Sequence, residues 1–352
     1  MEEYKLVSRR KSARMREGYT TTRAKPPIST DNVLKLARAF SLPKPQIFAY
    51  NHGYRNHSFG IISNGKQYNL ILLKNEPNAL ERIQNADAVA ALAARSGLPT
   101  RTLAHPKTLK ITTAHNFRLV RLYHWLPGDT IPWEAYTQKH LKVLGQTLAN
   151  LHTATTTPIA GLPVALSELS TQNQAMQAYF ARPAVVKALA TKLRLQTRQM
   201  HGQIAIFLTS PQITRLPTQP LHLDFVRGNI LWASAADSEA STPPQITGII
   251  DFEKTAMGSP LIDLARTYAF LLVDCPKPET KITKYFLQSG YIKYGGSQLP
   301  LMPKIFYNLT NYFLIFDFYK FLSHNPYESL ELNYHFCRTR DILLTRNILE
   351  EL

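Results

Sequence analysis

The chain is short of several things, and each scarcity narrows what it can be. It has two cysteines, Cys275 and Cys337, far apart in 352 residues. Such a pair builds neither a disulfide framework nor a zinc cluster, so both read as reduced thiols. No apolar run is long enough to cross a bilayer; the nearest, Tyr312 to Leu322, is cut by Asp317 and Lys320. The opening Met1-Glu2-Glu3-Tyr4-Lys5 holds no apolar core of a secretion signal, and a cytoplasmic protein is expected. Internal repeats, zinc-finger spacings, aromatic-rich RNA motifs and a G-x-G-x-x-G run are all missing. Acid is scarce too: 24 Asp and Glu stand against 41 Lys and Arg, a formal charge of +17. That balance favours anionic partners such as nucleotides, phosphorylated metabolites, nucleic acid or acidic membrane.

Part of the charge is local. Lys5, Arg9, Arg10, Lys11, Arg14, Arg16, Arg23 and Lys25 crowd the first segment, so residues 1–28 read as a basic, flexible arm. The sharper alternative for this arm is contact with nucleic acid or an anionic membrane. Beyond it, Ser29-Thr30-Asp31 caps a short apolar-periodic helix that ends before Pro43. Strands are expected at Gln46–Tyr50, Asn56–Ser63 and Gln67–Lys74, the last two joined by the hairpin signal Asn64-Gly65-Lys66. Arg82–Ser96 reads as a helix with Ile83, Ala86, Val89, Ala90 and Ala93 on one face, stopped by Gly97 and Pro99. Strands near Thr108–Thr112 and Phe117–Tyr123 follow, then a hinge over about 121–133. Leu141–His152 reads as an amphipathic helix, residues 165–207 as two long helices broken near Arg182-Pro183, 233–244 as a polar loop, and the chain from Leu261 onward as helices with short breaks at Gly295-Gly296-Ser297 and Pro303. The expected division is the arm 1–28, a nucleotide-clamping lobe 29–124 and a catalytic, acceptor-binding helical lobe 125–352.

The chemistry-bearing stretch is His222-Leu223-Asp224-Phe225-Val226-Arg227-Gly228-Asn229, followed by Ile249-Ile250-Asp251-Phe252-Glu253. An Asp, an Asn five residues later and a second Asp behind an apolar strand match the kinase pattern H-R-D-x-x-x-x-N then D-F-G. Asp224 is then the catalytic base, or at least the group that positions an acceptor hydroxyl. Asn229 and Asp251 supply hard oxygen ligands of the kind Mg²⁺ takes. Leu223 replaces the Arg of protein kinases and Glu253 replaces their Gly.

With those departures the chain resembles the aminoglycoside phosphotransferase family and its choline kinase and homoserine kinase relatives. Supporting runs occur in family order: Ser96-Gly97-Leu98-Pro99-Thr100, Leu144 through His152, and Gly258-Ser259-Pro260-Leu261-Ile262-Asp263-Leu264-Ala265-Arg266. The resemblance implies an α+β, protein-kinase-like bilobal fold, with a small β-rich N-lobe and a larger helical C-lobe. It implies ATP and Mg²⁺ as cofactors and a small-molecule hydroxyl as acceptor. His222 and Asp263 then support the catalytic loop, and Arg227 is a possible anion contact. The turn Gly53 to Phe59, with Asn56 and Ser58, corresponds to the phosphate-covering turn. Lys74 stands for the phosphate-binding lysine, with Asp87 or, failing it, Glu81 as its helix partner. The backbone at Arg121 and Leu122 is expected to meet the adenine edge. The aromatic C-terminal helices make an amino-alcohol acceptor conceivable through cation–π contacts. Two other classes stay open: a nucleotide-binding pseudokinase scaffold, and a protein that binds nucleic acid or membrane through its arm.

Overall fold

A computed structural model describes residues 27–52, 56–112, 117–188, 201–233, 243–295, 302–325, 330 and 332–346. The basic arm up to residue 26, Gly53-Tyr54-Arg55 and most of the 233–244 loop lie outside the described residues. The chain packs as two compact units: Met1–Pro77 with Leu103–Trp125, and Asn78–Thr102 with Leu126–Leu352.

The first unit is an antiparallel sheet of β1 (Gln46–His52), β2 (His57–Ser63), β3 (Lys66–Lys74), β4 (Leu109–Thr112) and β5 (Phe117–His124), in the order β1-β2-β3-β5-β4. The β2–β3 turn is tighter than expected: Ser63 pairs Lys66, so Asn64 and Gly65 alone make it. Both have positive φ, 47° and 72°, the backbone that a two-residue hairpin of matching twist demands and that Asn-Gly tolerates best. Alternation then assigns faces. Phe59, Ile61, Leu70, Leu72, Val120 and Leu122 form one core with Val33, Ala37 and Phe40 of helix α1 (Thr30–Ala39). Ser29 caps α1 by accepting from the Asn32 N–H, and the helix ends at Phe40 before Ser41 turns to φ 61°.

The second unit is mostly helical. Helix α2 (Ala79–Arg95) buries the five apolar residues expected of it, and four of them, Ala86, Val89, Ala90 and Ala93, join the large core of this unit. A division of the chain by packing and one by chain order therefore differ by this helix. Helix α3 (Gln138–Ala154) starts in a capping box of Thr137 and His140. Its Gly145 faces Thr283–Tyr291, which winds as a π-helix, and a Cβ there would collide with the Phe286 carbonyl and lie 2.9 Å from the Tyr291 nitrogen. Helix α4 (Ala165–Phe180) ends at Ala181, and a further helix starts at Pro183. Helix α5 (Pro260–Asp274), capped by Ser259, is buried on nearly every side, so its polar residues must find partners inside the protein. Helix α6 (Pro303–His324) packs on α5, and α7 (Tyr334–Thr345) packs on both. Among the described residues no helix is long and apolar enough to cross a membrane.

Two short hairpins position the chemistry. Strand β6 (Gln219–Leu221) pairs β9 (Ala256–Gly258), and β7 (Ile230–Trp232) pairs β8 (Ile246–Ile249). The loop expected to be catalytic, which carries Asp224, runs from β6 to β7, and the Asp251 segment runs from β8 to β9.

Candidate active site

The β7–β8 ladder brings the backbones of two expected metal ligands within one residue of each other. Ile230 pairs Ile249, and one step further the Ile250 N–H donates to the Asn229 carbonyl at 3.0 Å, which brings Asp251 next to Asn229. Both hydrogens of the Asn229 amide point at Asp224, to its carbonyl (2.9 Å) and to Oδ2 (3.1 Å), which leaves Oδ1 as the outward acceptor. Asp251 has φ 65° and ψ 60°, a left-handed backbone that costs a non-glycine residue roughly 1–2 kcal/mol. Among the described residues no group of three or more His, Cys, Asp or Glu could hold a metal alone. The pair fits a hard divalent cation that takes its remaining ligands from phosphate oxygens and water.

The loop before Asp224 is held from below. Leu223 is also left-handed, at φ 56°. Two consecutive amides, of His222 (2.9 Å) and Leu223 (3.1 Å), donate to the two carboxylate oxygens of the fully buried Asp263. Burial pushes the Asp263 pKa up, but the hydrogen bonds from His152 and from the His222 amide outweigh it, and Asp263 stays ionised. His152 in turn meets the Tyr291 hydroxyl through Nδ1 at 2.7 Å. His222 is buried, which lowers its pKa and keeps the ring neutral. Its Nδ1 accepts from the Asp224 N–H (3.1 Å), so Nε2 carries the proton and donates to the Ile250 carbonyl (3.2 Å). One imidazole thus ties the catalytic loop to the strand end before Asp251.

The carboxylate of Asp224 has partners that sequence reasoning missed. Its Oδ1 accepts from Lys254 Nζ at 2.8 Å and from Arg266 Nη2 at 3.1 Å. Burial works to raise its pKa, but these two cations prevail and hold it below the usual carboxylate range. On α5, Asp263, Arg266 and Thr267 sit at i, i+3 and i+4, one helical face. All three bind the catalytic loop, Thr267 by donating to the Phe225 carbonyl at 3.0 Å. A charged residue three places after Asp263 in an otherwise apolar helix was the available signal for Arg266. Glu253, the departure from the kinase glycine, forms a buried ion pair with Arg101 at 3.2 Å. The segment around Arg101 is itself laid along β8, since the Ile249 N–H donates to the Pro99 carbonyl at 2.7 Å.

In the sheet unit the expected nucleotide residues fall on different faces. Ser58 sits opposite Ile71, which sits opposite Arg121, so Ser58 and Arg121 share a face. Lys74 alternates with Leu70 and Leu72 and so continues the face on which α1 packs. Its side chain is 56% exposed and lies 3.7 Å from Glu76. Asn56 accepts from the Lys74 N–H at 3.0 Å, and Ser58 donates to Asn69 at 2.5 Å. Arg121 and Leu122 are buried side chains within β5. The Leu122 carbonyl is taken by the Ala104 N–H, and Trp125 still donates to the Gln67 carbonyl, so the chain leaves the sheet only after Trp125. Asp87 lies half-buried on α2, and Glu81 is exposed in its first turn. Arg227 is half-buried, in the single 3₁₀ turn that carries Asn229.

Comparison with known proteins gives the family and the fold. Residues 47–280, well over half of the chain, match the model of the phosphotransferase enzyme family. No curated protein matches the chain significantly. Among solved structures, the amicoumacin kinase hAmiN in complex with AMP-PNP, Ca²⁺ and Ami superposes with a TM-score of 0.64 at 14% identity, over 92% of this chain and 96% of that one. The GDP complex of aminoglycoside 2'-phosphotransferase-IIIa gives 0.60 at 16% identity, over 89% and 98%. Choline kinase from Cryptosporidium parvum gives 0.57 at 11% identity, over 91% and 98%. The fold is the α+β protein-kinase-like one, with a small sheet unit and a larger helical unit. The chain belongs to the phosphotransferase enzyme family and is a small-molecule kinase that acts on a hydroxyl group.

Proposed function

We propose that this kinase is ATP- and Mg²⁺-dependent, acts in the cytoplasm, and moves the γ-phosphoryl group of ATP to the hydroxyl of a small molecule at Asp224. The observation that carries this reading is the shared geometry of Asp224 and Asn229, with Asp251 one ladder step away. The acceptor hydroxyl donates to Asp224 Oδ2 and its oxygen attacks the γ-phosphorus. The bond from phosphorus to the β–γ bridging oxygen breaks, ADP leaves, and the proton passes through Asp224 to solvent. A carboxylate held ionised by two cations is a weak base, so Asp224 chiefly orients the hydroxyl and takes its proton late. Asn229 Oδ1 and Asp251 would hold Mg²⁺, whose charge neutralises the β- and γ-phosphates.

The nucleotide is assigned to the 29–124 lobe, with Asn56, Ser58, Lys74, Asp87 and the backbone of Arg121 and Leu122, and the acceptor to the 125–352 lobe. His222 and Asp263 act only by holding the loop. The exposed, outward Lys74 favours one second reading, a pseudokinase that binds nucleotide without turnover.

Titration of MgATP into wild type and Asp251→Ala, together with turnover by Asp224→Asn, tests the proposal. Wild type should bind, Asp251→Ala should bind far more weakly, and Asp224→Asn should bind normally while losing about 10²- to 10⁴-fold in kcat. Binding that is unchanged in Asp251→Ala, or normal turnover by Asp224→Asn, rejects the assignment. Binding without phosphoryl transfer to any hydroxyl selects the pseudokinase.

A further inference from the structure

The reacting carboxylate sits in a positively charged corner. Lys254 and Arg266 both reach Asp224 Oδ1, so one negative charge is matched by two positive ones where the acceptor must lie. Arg266 is 7% exposed, and its Nε has no hydrogen-bond partner among the described residues. A buried donor left unmatched is costly, most of all on a charged group, and an acceptor oxygen placed there would remove that cost.

Several aromatic rings of the C-terminal helices already carry a cation beside Arg266. The Arg266 guanidinium lies 5.7 Å from the rings of Phe270 and Phe313 and 6.0 Å from that of Phe316. Lys320 lies 5.6 Å from Phe316 and 5.8 Å from Tyr319. A cationic acceptor would find its π surface filled by like charge. Among the described residues, Asp317 is already engaged, 2.9 Å from His335. Glu168 on α4 already feels the charges of Arg266 and Arg82.

We propose that the acceptor is a hydroxyl-bearing anion, a hydroxycarboxylate or a phosphate monoester, whose charged group is held by Lys254 and Arg266 beside the reacting hydroxyl. This rests on the kinase reading above and replaces the amino-alcohol acceptor with one of opposite charge.

The test uses the full chain and four ligands with one carbon skeleton: glycerate, glycerol 3-phosphate, glycerol and 3-amino-1,2-propanediol. Binding is followed by calorimetry and by the Arg266 Nε–H resonance, assigned from its loss in Arg266→Lys. At least one anion should bind ten times tighter than glycerol or the aminodiol and shift that resonance. The stronger of glycerate and glycerol 3-phosphate tells carboxylate from phosphate. Lys254→Gln, at a largely exposed side chain, should weaken the anion at least tenfold, which keeps the test valid if Arg266→Lys does not fold. Equal or tighter binding of glycerol or the aminodiol, or no binding by any of the four, overturns the proposal. MgATP titrated into the same samples separates the two readings: no nucleotide binding rejects the kinase assignment, whereas nucleotide binding with a cation preferred rejects only the anionic acceptor.

Discussion

The two units hold their functional residues in different ways. In the helical unit Asp224, Asn229, His222 and Asp263 are tied by hydrogen bonds, most of them to a carboxylate, to partners 2 to 42 residues away in the chain. Most of these groups are buried, so each bond acts in a low dielectric and each loss is costly. In the sheet unit Asn56 and Ser58 make neutral hydrogen bonds to neighbouring strands, and Lys74 is an exposed lysine near one glutamate. Orienting a hydroxyl for in-line transfer tolerates little error, whereas phosphates can be gripped by backbone amides and a mobile cation. The comparison teaches that this chain spends its rigidity on the catalytic loop.

Breaking that rigidity should give the largest effects. Asp263→Ala leaves two buried amides without acceptors at the left-handed Leu223, at a cost of about 1–3 kcal/mol each. It should lower the melting temperature and abolish turnover, while any protein that folds still binds nucleotide; a stable, active variant would show that the carboxylate is dispensable. Gly145→Ala should cost at least about 1–3 kcal/mol in thermal unfolding, because α3 and the π-helix touch backbone to backbone there. A neutral result would mean that the two helices slide apart easily.

The pH dependence probes the helical unit at a third point. His335 on α7 lies 3.2 Å from Asp274 of α5 and 2.9 Å from Asp317 of α6. Burial opposes its protonation, but the two aspartates raise its pKa from 6.5 to about 10. The folded chain therefore holds a proton that the unfolded chain releases near 6.5, so this contribution is complete below that pH and is lost as pH rises toward about 10. Wild type should lose melting temperature across that window more steeply than His335→Gln, at roughly 2–4 °C per kcal/mol. Parallel curves for the two proteins would remove the clamp.

The smallest effect is expected in the sheet unit. An exposed ion pair is worth about 0.2–1 kcal/mol, so Lys74→Ala should change nucleotide affinity by less than about tenfold and stability hardly at all. A complete loss of nucleotide binding would instead make Lys74 the phosphate-binding lysine and erase much of the contrast between the units.

What the sequence determined by itself is what depends on near neighbours. The Asn64-Gly65 turn follows from local backbone preference, and the buried face of α2 from helical periodicity. The Asp224, Asn229 and Asp251 spacing reflects a short loop and a hairpin. His222 and Asp263 were legible only through family resemblance. Tertiary structure alone decided the rest: that Lys254 and Arg266 meet on one oxygen of Asp224, that Arg101 answers Glu253, that Arg121 is buried, and that Lys74 continues the wrong face of its strand for Ser58 and Arg121. These depend on which helix face packs against which loop, and on how strand register sets the side of a sheet. An electrostatic contact forms when two side chains converge in space, and no local preference along the chain encodes that convergence.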